Sequence, residues 1–377
     1  YPLNNLNVFF YKTLFPLTKR ITFAEKIEKI NNKFTQNNKM KSLKQHIIDL
    51  QQSDWDYYNN VSSMSLENPF VSNKNHSDFI KNYFKRSGKE PVLDLIEINN
   101  DKIIKAEHTN SIFFLGMLLH NNINITEKYF NEYNNENYKE FPFIWFLICL
   151  YHDFGMKHES SEELRNKIID IDTLKSHFEI VHCLLDTTVT GIDQLLFNHI
   201  RQYFLYRRLH HKKIDHGILA GLYFYDRLVK NRIIQQKEKK KKLFWGKKLE
   251  KQYALVASVI AIHNIWFPND NSACEYIKFE MKGLINAKPI TLKKSPLLYI
   301  LGIVDTVDPI KIYSNKHQID YILTNLNIKF CDKELIIENN ETSTLDFTQI
   351  LHKSDNFKGW LDVDIIKEAN KLTIKMK

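Results

Sequence analysis

Residues 143–151 constrain the fold of this chain more than any other segment. They read FIWFLICLY and place apolar side chains on every side of a helix, which is typical of a helix buried in a protein core. The segment is far shorter than the roughly 20 residues that a membrane-spanning helix needs. We therefore expect a globular protein built around this helix. Two polar residues, His152 and Asp153, follow it directly.

The other sequence patterns favour helices as well. Glycine and proline are scarce, at 10 and 9 in 377 residues, which argues against a β-sandwich with glycine- and proline-rich turns. Apolar residues make up 43% of the chain, enough for a substantial core, so the composition excludes disordered and fibrous classes. Apolar spacing predicts further helices at 108–119, 216–230, 252–265 and 296–305. The last follows Ser295, an expected N-cap hydroxyl before a proline at the first helical position.

The pattern divides the chain into three parts. Residues 1–105 predict an N-terminal helical extension, with helices at 24–30 and 43–50 and a loop at 62–77. Residues 106–315 predict an all-α core, in which the small residues Gly217, Ala220 and Gly221 would let another backbone approach closely. Residues 316–377 predict a small α/β appendage, with strands at 327–330, 335–338 and 372–376 and a helix at 344–354. The expected fold class is mainly α.

The net charge and the spacing of the cysteines indicate which ligands and which cellular compartment to expect. The 53 basic and 44 acidic residues give a formal charge of +9, which suits phosphate-containing ligands such as nucleotides, or nucleic acid. A basic run at 237–248 (KEKKKKLFWGKK) is either a solvated loop or a lip that contacts phosphates. The four cysteines are far apart and form no C-x-x-C motif, which favours a reducing compartment. We expect a cytoplasmic protein with no membrane partner.

Several histidines and aspartates stand at the ends of the predicted core helices. Burying an unpaired imidazole or carboxylate costs several kcal/mol, and a divalent cation is one way to pair them. Any one of these residues alone is more often an ordinary core or surface residue. Six at helix ends together predict a metal site. They are His108, His152, Asp153, His216, His263 and Asp305.

This ordered set resembles the HD superfamily of metal-dependent phosphohydrolases. The resemblance covers residues 108–305 and rests on His108, the run YHDFG at 151–155 and Asp305 at the end of LGIVD. His216 and His263 are similar to the extra histidines of branches with two metals, which include cyclic-dinucleotide phosphodiesterases and CRISPR-associated nucleases. The chain departs from many members at residue 156, where methionine stands in the place of lysine and Lys157 comes one position later.

The resemblance implies one or two divalent ions, of which the first would be held by His108, His152, Asp153 and Asp305, and a second by Asp153, His216 and His263. Mixed histidine and aspartate ligands suit Mn, Fe, Co, Ni or Zn better than Mg. Asp153 then has a catalytic role through both ions. Asp215 either orients His216, accepts a proton from the attacking water, or is simply a residue at a helix N-terminus.

Three functions follow as hypotheses. We favour a phosphohydrolase or phosphodiesterase in which a metal-activated water attacks a nucleotide or related phosphoester. The alternatives are a single-strand nuclease with the same centre and a regulatory module that binds nucleotide or metal without turnover. Arg207, Arg208 and Lys157 are candidates for contacting substrate phosphates, although an ordinary basic loop would also explain the two arginines. The chain has no P-loop, dinucleotide-binding, H-E-x-x-H or G-x-S-x-G motif.

Overall fold

The computed structural model describes residues 40–56, 66–72, 75–86, 89–96, 98–99, 102–123, 141–237 and 247–377. Within these ranges the protein is mainly α-helical with a small antiparallel sheet, which confirms the predicted fold class. None of the helices in the described ranges combines the length and the apolar character needed to span a bilayer.

Helices account for most of the described chain. Before residue 105 they are α1 (Leu43–Asp49), α2 (Gln52–Trp55), α3 (Pro69–Ser72) and α4 (His76–Lys85). The next are α5 (Ala106–Asn122), α6 (Phe141–Tyr151), α7 (Met156–Glu159), α8 (Glu162–Lys167), α9 (Ile171–His177), α10 (Gln194–Asn198) and α11 (Ile200–Leu209). They are followed by α12 (His216–Lys237), α13 (Lys247–Ile262), α14 (Ala273–Lys278), α15 (Lys282–Ile285), α16 (Pro296–Val307), α17 (Pro309–Tyr313), α18 (Ile319–Asn325) and α19 (Thr348–Lys353). Short 3-10 helices lie at Glu90–Leu95, Leu184–Asp186 and Ser354–Phe357.

Helix α6 lies at the centre of the core, as its sequence predicts. It contacts α5, α12 and α13, while α16 packs against α5 and α13. Ten of its 11 residues are buried, all but the proline at its second position. Phe146 of α6 stacks on Phe113 of α5 with ring centroids 4.1 Å apart, a contact worth about 0.5–1.5 kcal/mol beyond area burial. The core is therefore built around α6, a helix whose apolar residues leave no solvent-facing side.

Helices α12 and α13 approach each other closely, which confirms the prediction from the small residues. A Cβ on Gly221 would lie 2.4 Å from the Ala257 carbonyl oxygen, and one on Gly217 would lie 2.8 Å from that of Ile260. No side chain fits at these positions without moving a backbone. This close approach brings the start of α12 beside the end of α13.

The sheet joins the two ends of the described chain. Its order is β1 (Lys41–Ser42), β4 (Leu326–Cys331), β5 (Glu334–Asn339), β7 (Lys371–Met376) and β6 (Val363–Glu368), all antiparallel. A separate hairpin pairs β2 (Ile98–Asn99) with β3 (Lys102–Ile103). Burial alternates along β4 and β5, so one face of the sheet covers the helical core. The predicted N-terminal extension and C-terminal appendage thus share one sheet.

Several local predictions need correction. Strands at 327–330, 335–338 and 372–376 and the helix at 43–50 are confirmed, but β1 and β6 were not predicted. The predicted helix at 344–354 begins only at Thr348, and the described residues of the predicted loop at 62–77 include the helical turn α3 and the first two residues of α4. Ser295 precedes α16 as expected, yet its side chain makes no cap hydrogen bond. Its ψ of 68° departs from the extended geometry that aims a cap hydroxyl at the helix. The predicted helix at 24–30 and most of the basic run lie outside the described residues.

Candidate metal centre

The ends of five core helices bring the six predicted ligands to one place. His108 lies in the first turn of α5, His152 and Asp153 directly follow α6, and His216 begins α12. His263 directly follows α13, and Asp305 lies in the last turn of α16. The chain order of these residues gives no hint of their proximity. Packing of α6 against α5, α12 and α13 places the polar ends together because their apolar bodies share one core.

The first group contains His108, His152, Asp153 and Asp305. The two Nε2 atoms of His108 and His152 are 3.3 Å apart. Asp305 Oδ1 lies 3.4 Å from His108 Nε2 and 3.5 Å from His152 Nε2. Asp153 Oδ1 lies 3.5 Å from His152 Nε2, and Asp153 Oδ2 lies 3.7 Å from His108 Nε2. His108, His152 and Asp153 each offer a ligand atom within 4.8 Å of the other two, and Asp305 lies beside both histidines.

The second group shares Asp153 with the first. Each of Asp153, His216 and His263 offers a ligand atom within 4.8 Å of the other two. His216 Nε2 lies 3.9 Å from Asp153 Oδ1, and the His216 and His263 rings are 5.2 Å apart between centroids. The buried cluster of His108, His152, Asp153, His216 and His263 could hold a metal ion, and Asp153 belongs to both halves of it.

Hydrogen bonds from behind fix the orientation of three imidazoles. Nδ1 of His152 donates to the Cys149 carbonyl at 3.0 Å, and Nδ1 of His263 donates to the Ile260 carbonyl at 2.6 Å. A carbonyl oxygen can only accept, so the partner assigns the proton to Nδ1 and leaves a lone pair on Nε2. This is how proteins usually orient histidines that bind metals.

His108 is held in the same way by a residue that the sequence patterns did not single out. Asp308 Oδ2 accepts a hydrogen bond from His108 Nδ1 at 2.7 Å, and the Asp308 side chain is completely buried. The same carboxylate accepts from Ser111 Oγ and from the backbone N–H groups of Ile310 and Lys311. The sequence carried one signal, since Asp308 precedes Pro309 as an N-cap precedes a proline at the first helical position.

The facing Nε2 atoms of His108 and His152 require a positive charge between them. With both Nδ1 atoms donating, two lone pairs would face each other across 3.3 Å, beside the carboxylates of Asp153 and Asp305. Although burial lowers the pKa of His108, hydrogen bonds with Asp305 and Asp308 raise that pKa to about 9. A proton on His108 is thus one source of the charge. A divalent cation is the other, and the donor set fits it.

Two lysines add positive charge beside the carboxylates of the centre. Lys105 Nζ lies 2.9 Å from Asp153 Oδ2, and Lys311 Nζ lies 2.7 Å from Asp305 Oδ1. Burial raises the pKa of Asp305, but Lys311 and the two nearby histidines outweigh burial and hold that pKa well below its ordinary value. Burial, with the charges of His216 and His152, lowers the pKa of His263 to about 3. His263 is therefore a neutral imidazole, the form that binds metal.

Glu159 stands behind His216 and was also not singled out by the sequence. Its Oε2 lies 3.7 Å from His216 Nδ1, and its Oε1 lies 2.5 Å from Arg207 Nη2. The charges on His216 and Arg207 lower the pKa of Glu159, with the contact to His216 the largest cause. Arg207 Nε also lies 3.4 Å from Asp215. Arg207 thus joins two carboxylates behind the centre.

Asp215 serves the fold at the start of α12. It is fully buried; Oδ1 accepts from the Ile218 N–H at 3.0 Å, and Oδ2 accepts from Asn264 Nδ2 at 2.9 Å. Within the described residues it has no hydrogen bond to the His216 ring. Of the three interpretations of this residue, its observed contacts correspond to that of a helix N-terminal residue.

The side chains of Arg208 and Lys157 have contacts away from the cluster. Arg208 donates to the backbone carbonyls of Ile168 and Arg165. Lys157 Nζ lies over the Phe154 ring, 5.7 Å from its centroid. Neither residue, nor Arg207, lines the cavity beside the metal ligands in the described part of the chain. The sequence identified the charge of these side chains, whereas the direction in which they point depends on the packing around α7 and α8.

A cavity of about 440 Å³ opens beside the cluster. Asp153, His216, His263 and Asp305 form its inner wall. Its outer wall comes from three further regions: the chain after α13, helix α17, and the C-terminal segment from α19 to Trp360. Residues of this outer wall are Asn264, Trp266, Lys311, Gln349, Lys353, Asn356 and Trp360.

Comparison of this chain with protein-family models, with curated proteins and with solved structures finds no match. The candidate metal centre therefore rests on the convergence of its own side chains.

Proposed function

We propose that this protein is a metal-dependent phosphohydrolase of the HD type that acts on a nucleotide or related phosphoester. The observation that carries the proposal is the pair of Nε2 atoms, on His108 and His152, that face each other at 3.3 Å beside two half-buried carboxylates. Such a group of neutral donors and negative charges is stabilised by a cation. The ordered set of residues that resembles the HD superfamily supports the same assignment.

The ligands divide into two sets with one shared member. One ion is held by His108, His152, Asp153 and Asp305, and a second by Asp153, His216 and His263. Their imidazole and carboxylate donors favour Mn, Fe, Co, Ni or Zn over Mg. When bound, such ions lower the pKa of water towards about 7 and neutralise negative charge on a phosphoryl group.

The residues around the ligands prepare the site for an anion. Lys105 and Lys311 add positive charge beside Asp153 and Asp305, so the negative charge of these carboxylates is balanced before a phosphate arrives. Backbone carbonyls and Asp308 hold the imidazoles in place, so little reorganisation is needed when a ligand binds. His263 is buried and the other three residues of the inner wall are half-buried, which limits the access of bulk water and strengthens these interactions.

Metal analysis and hydrolysis assays on matched variants test the proposal. We expect the purified wild-type protein to contain at least one divalent ion per chain and to hydrolyse at least one of a panel of nucleoside triphosphates, cyclic nucleotides, dinucleotides and single-stranded oligonucleotides. Asp153→Ala removes the shared ligand, so metal content should approach zero. Hydrolysis should fall on the order of a thousandfold, since the metal supplies several kcal/mol of transition-state stabilisation.

The control variant is Asp172→Ala. Asp172 is an aspartate with a 72% exposed side chain, remote in sequence from every ligand, and its replacement should change neither metal content nor rate. Circular dichroism checks that both variants fold. Full activity in Asp153→Ala, or wild-type protein that binds no divalent metal, would contradict the proposal. Metal and nucleotide binding without turnover would instead favour the regulatory module.

A further inference from the structure

The cavity continues past the metal ligands to an aromatic wall. Its volume of about 440 Å³ falls in the range of about 300–1,000 Å³ that is typical of small-molecule sites. The inner wall carries the ligands, whereas the outer wall carries Trp266, which is half-buried. A group bound at the centre therefore leaves room for a further, larger part of the same molecule beside Trp266.

The Trp266 ring is held in one position. The buried ring of Trp360 lies against it, with centroids 4.5 Å apart and planes inclined by 36°. The Trp266 indole N–H donates to Asn264 Oδ1 at 3.2 Å, and Asn264 Nδ2 donates to the buried Asp215 at 2.9 Å. A Cβ on Gly302 would lie 2.6 Å from the Trp360 ring, so this glycine makes room for the pair. Trp266 thus forms a rigid flat surface on the cavity wall.

The C-terminal segment closes the outer side of the cavity with polar side chains. Gln349 and Lys353 come from α19, and Asn356 comes from the 3-10 helix that follows. Lys353 is exposed and has no ion-pair partner among the residues that the structure describes. Its charge is therefore available to an anion in the cavity. The segment that the sequence predicted as an appendage forms part of the site.

We propose that this cavity binds a nucleotide whose base stacks on Trp266, with Lys353 of the C-terminal segment adding positive charge that attracts the anionic ligand. The inference rests on the proposed function for the position of the phosphate at the metal centre. Every nucleobase has a flat π-face, and stacking on an aromatic side chain is worth about 1–3 kcal/mol. A rigid indole favours planar aromatic rings because a planar ring makes the most extensive contact with its face.

Two ligands that differ only in the base isolate the role of Trp266. We would measure by calorimetry the binding of adenosine monophosphate and of ribose 5-phosphate to the Mn-loaded protein. The wild-type protein should bind the nucleotide about 5- to 150-fold more tightly, which is the stacking contribution converted to a ratio of dissociation constants. Trp266→Leu should reduce that ratio to near one. Trp266→Phe keeps an aromatic face and should retain most of the preference.

Lys353→Met tests the cation separately. It should weaken both ligands equally, by about two- to fivefold at low salt, since the contact is exposed. Lys358→Met is the matched control, because Lys358 is an exposed lysine of the same segment that does not line the cavity. It should change neither dissociation constant. Since the ratio for Trp266→Leu compares two ligands on one protein, a modest loss of stability in that variant does not imitate the expected result.

Four results would overturn the inference. They are equal wild-type binding of the two ligands, no binding of either, a base preference that survives in Trp266→Leu, and equal effects of Lys353→Met and Lys358→Met. Failure of the proposed function gives a different pattern. A base preference that depends on Trp266, without hydrolysis of any phosphoester, would support the nucleotide site and contradict the enzyme. Hydrolysis of a phosphoester without a base preference would support the enzyme and contradict the nucleotide site.

Discussion

Replacement of Asp308 by alanine should weaken both the fold and the binding of divalent cations. Asp308 is fully buried and accepts from His108 Nδ1 at 2.7 Å, from Ser111 Oγ, and from the N–H groups of Ile310 and Lys311 at 3.2 and 3.0 Å. Alanine leaves all four donors without this acceptor. It also leaves the His108 ring without the bond that aims Nε2 at the centre.

The size of the effect follows from these contacts. Removing one partner of a buried charged pair costs about 3–5 kcal/mol, and loss of an N-cap costs about 0.5–2 kcal/mol. Because one carboxylate makes all these bonds, the costs overlap, and we expect the unfolding free energy of the metal-free protein to fall by about 3–5 kcal/mol. Partners that orient metal-binding histidines contribute about 10- to 100-fold to metal affinity, so Mn should bind that much more weakly.

Two assays measure these quantities. Urea unfolding with a chelator present, followed by circular dichroism, gives the stability change, and calorimetric titration with Mn gives the affinity. Asp308→Asn retains the shape and one acceptor oxygen, so its losses should be intermediate, while the exposed Asp172→Ala should stay within about 0.5 kcal/mol of wild type. An Asp308→Ala protein with the wild-type urea midpoint and Mn affinity would refute the reasoning.

Three further predictions concern the same centre. The pKa of His108 is raised to about 9, so its imidazole carries a proton at pH 7 that must leave when a cation binds. The affinity for Mn should therefore rise as the pH increases from 7 towards 9 and stay lower in acid. Calorimetric titrations at pH 7 in two buffers should show the release of about one proton. Affinity independent of pH over that range would contradict this. Gly217→Ala places a Cβ 2.8 Å from the His263 ring. The free energy of unfolding, measured with urea, should therefore fall by about 1–3 kcal/mol. An unchanged urea midpoint would show that α12 and α13 can separate at no cost. Lys311→Met removes the ion pair at 2.7 Å to Asp305, so calorimetry should show tighter Mn binding while phosphoester hydrolysis slows. Weaker Mn binding together with slower hydrolysis would show that Lys311 mainly supports the fold.

The sequence by itself determined the main helices and the ligand candidates, for a local reason. A segment such as α6, apolar on every side, can only be buried, and His152 and Asp153 at its end must then find partners. The same argument applied separately to His108, His263 and Asp305. Their convergence was a prediction about packing. The structure brings five of the six candidates into two groups that share Asp153, with Asp305 beside the two histidines of the first group.

The tertiary structure alone decided which residues surround these ligands. Asp308 meets His108 from 200 positions away, and Glu159 reaches His216 because α7 packs beside α12. Spacing and periodicity describe one element at a time, so they cannot report such contacts. For the same reason the sequence offered Arg208 as a candidate for contacting substrate phosphates, although its guanidinium donates to nearby backbone carbonyl groups. The C-terminal segment became a wall of the cavity only through the packing of α19 and its 3-10 helix on α16.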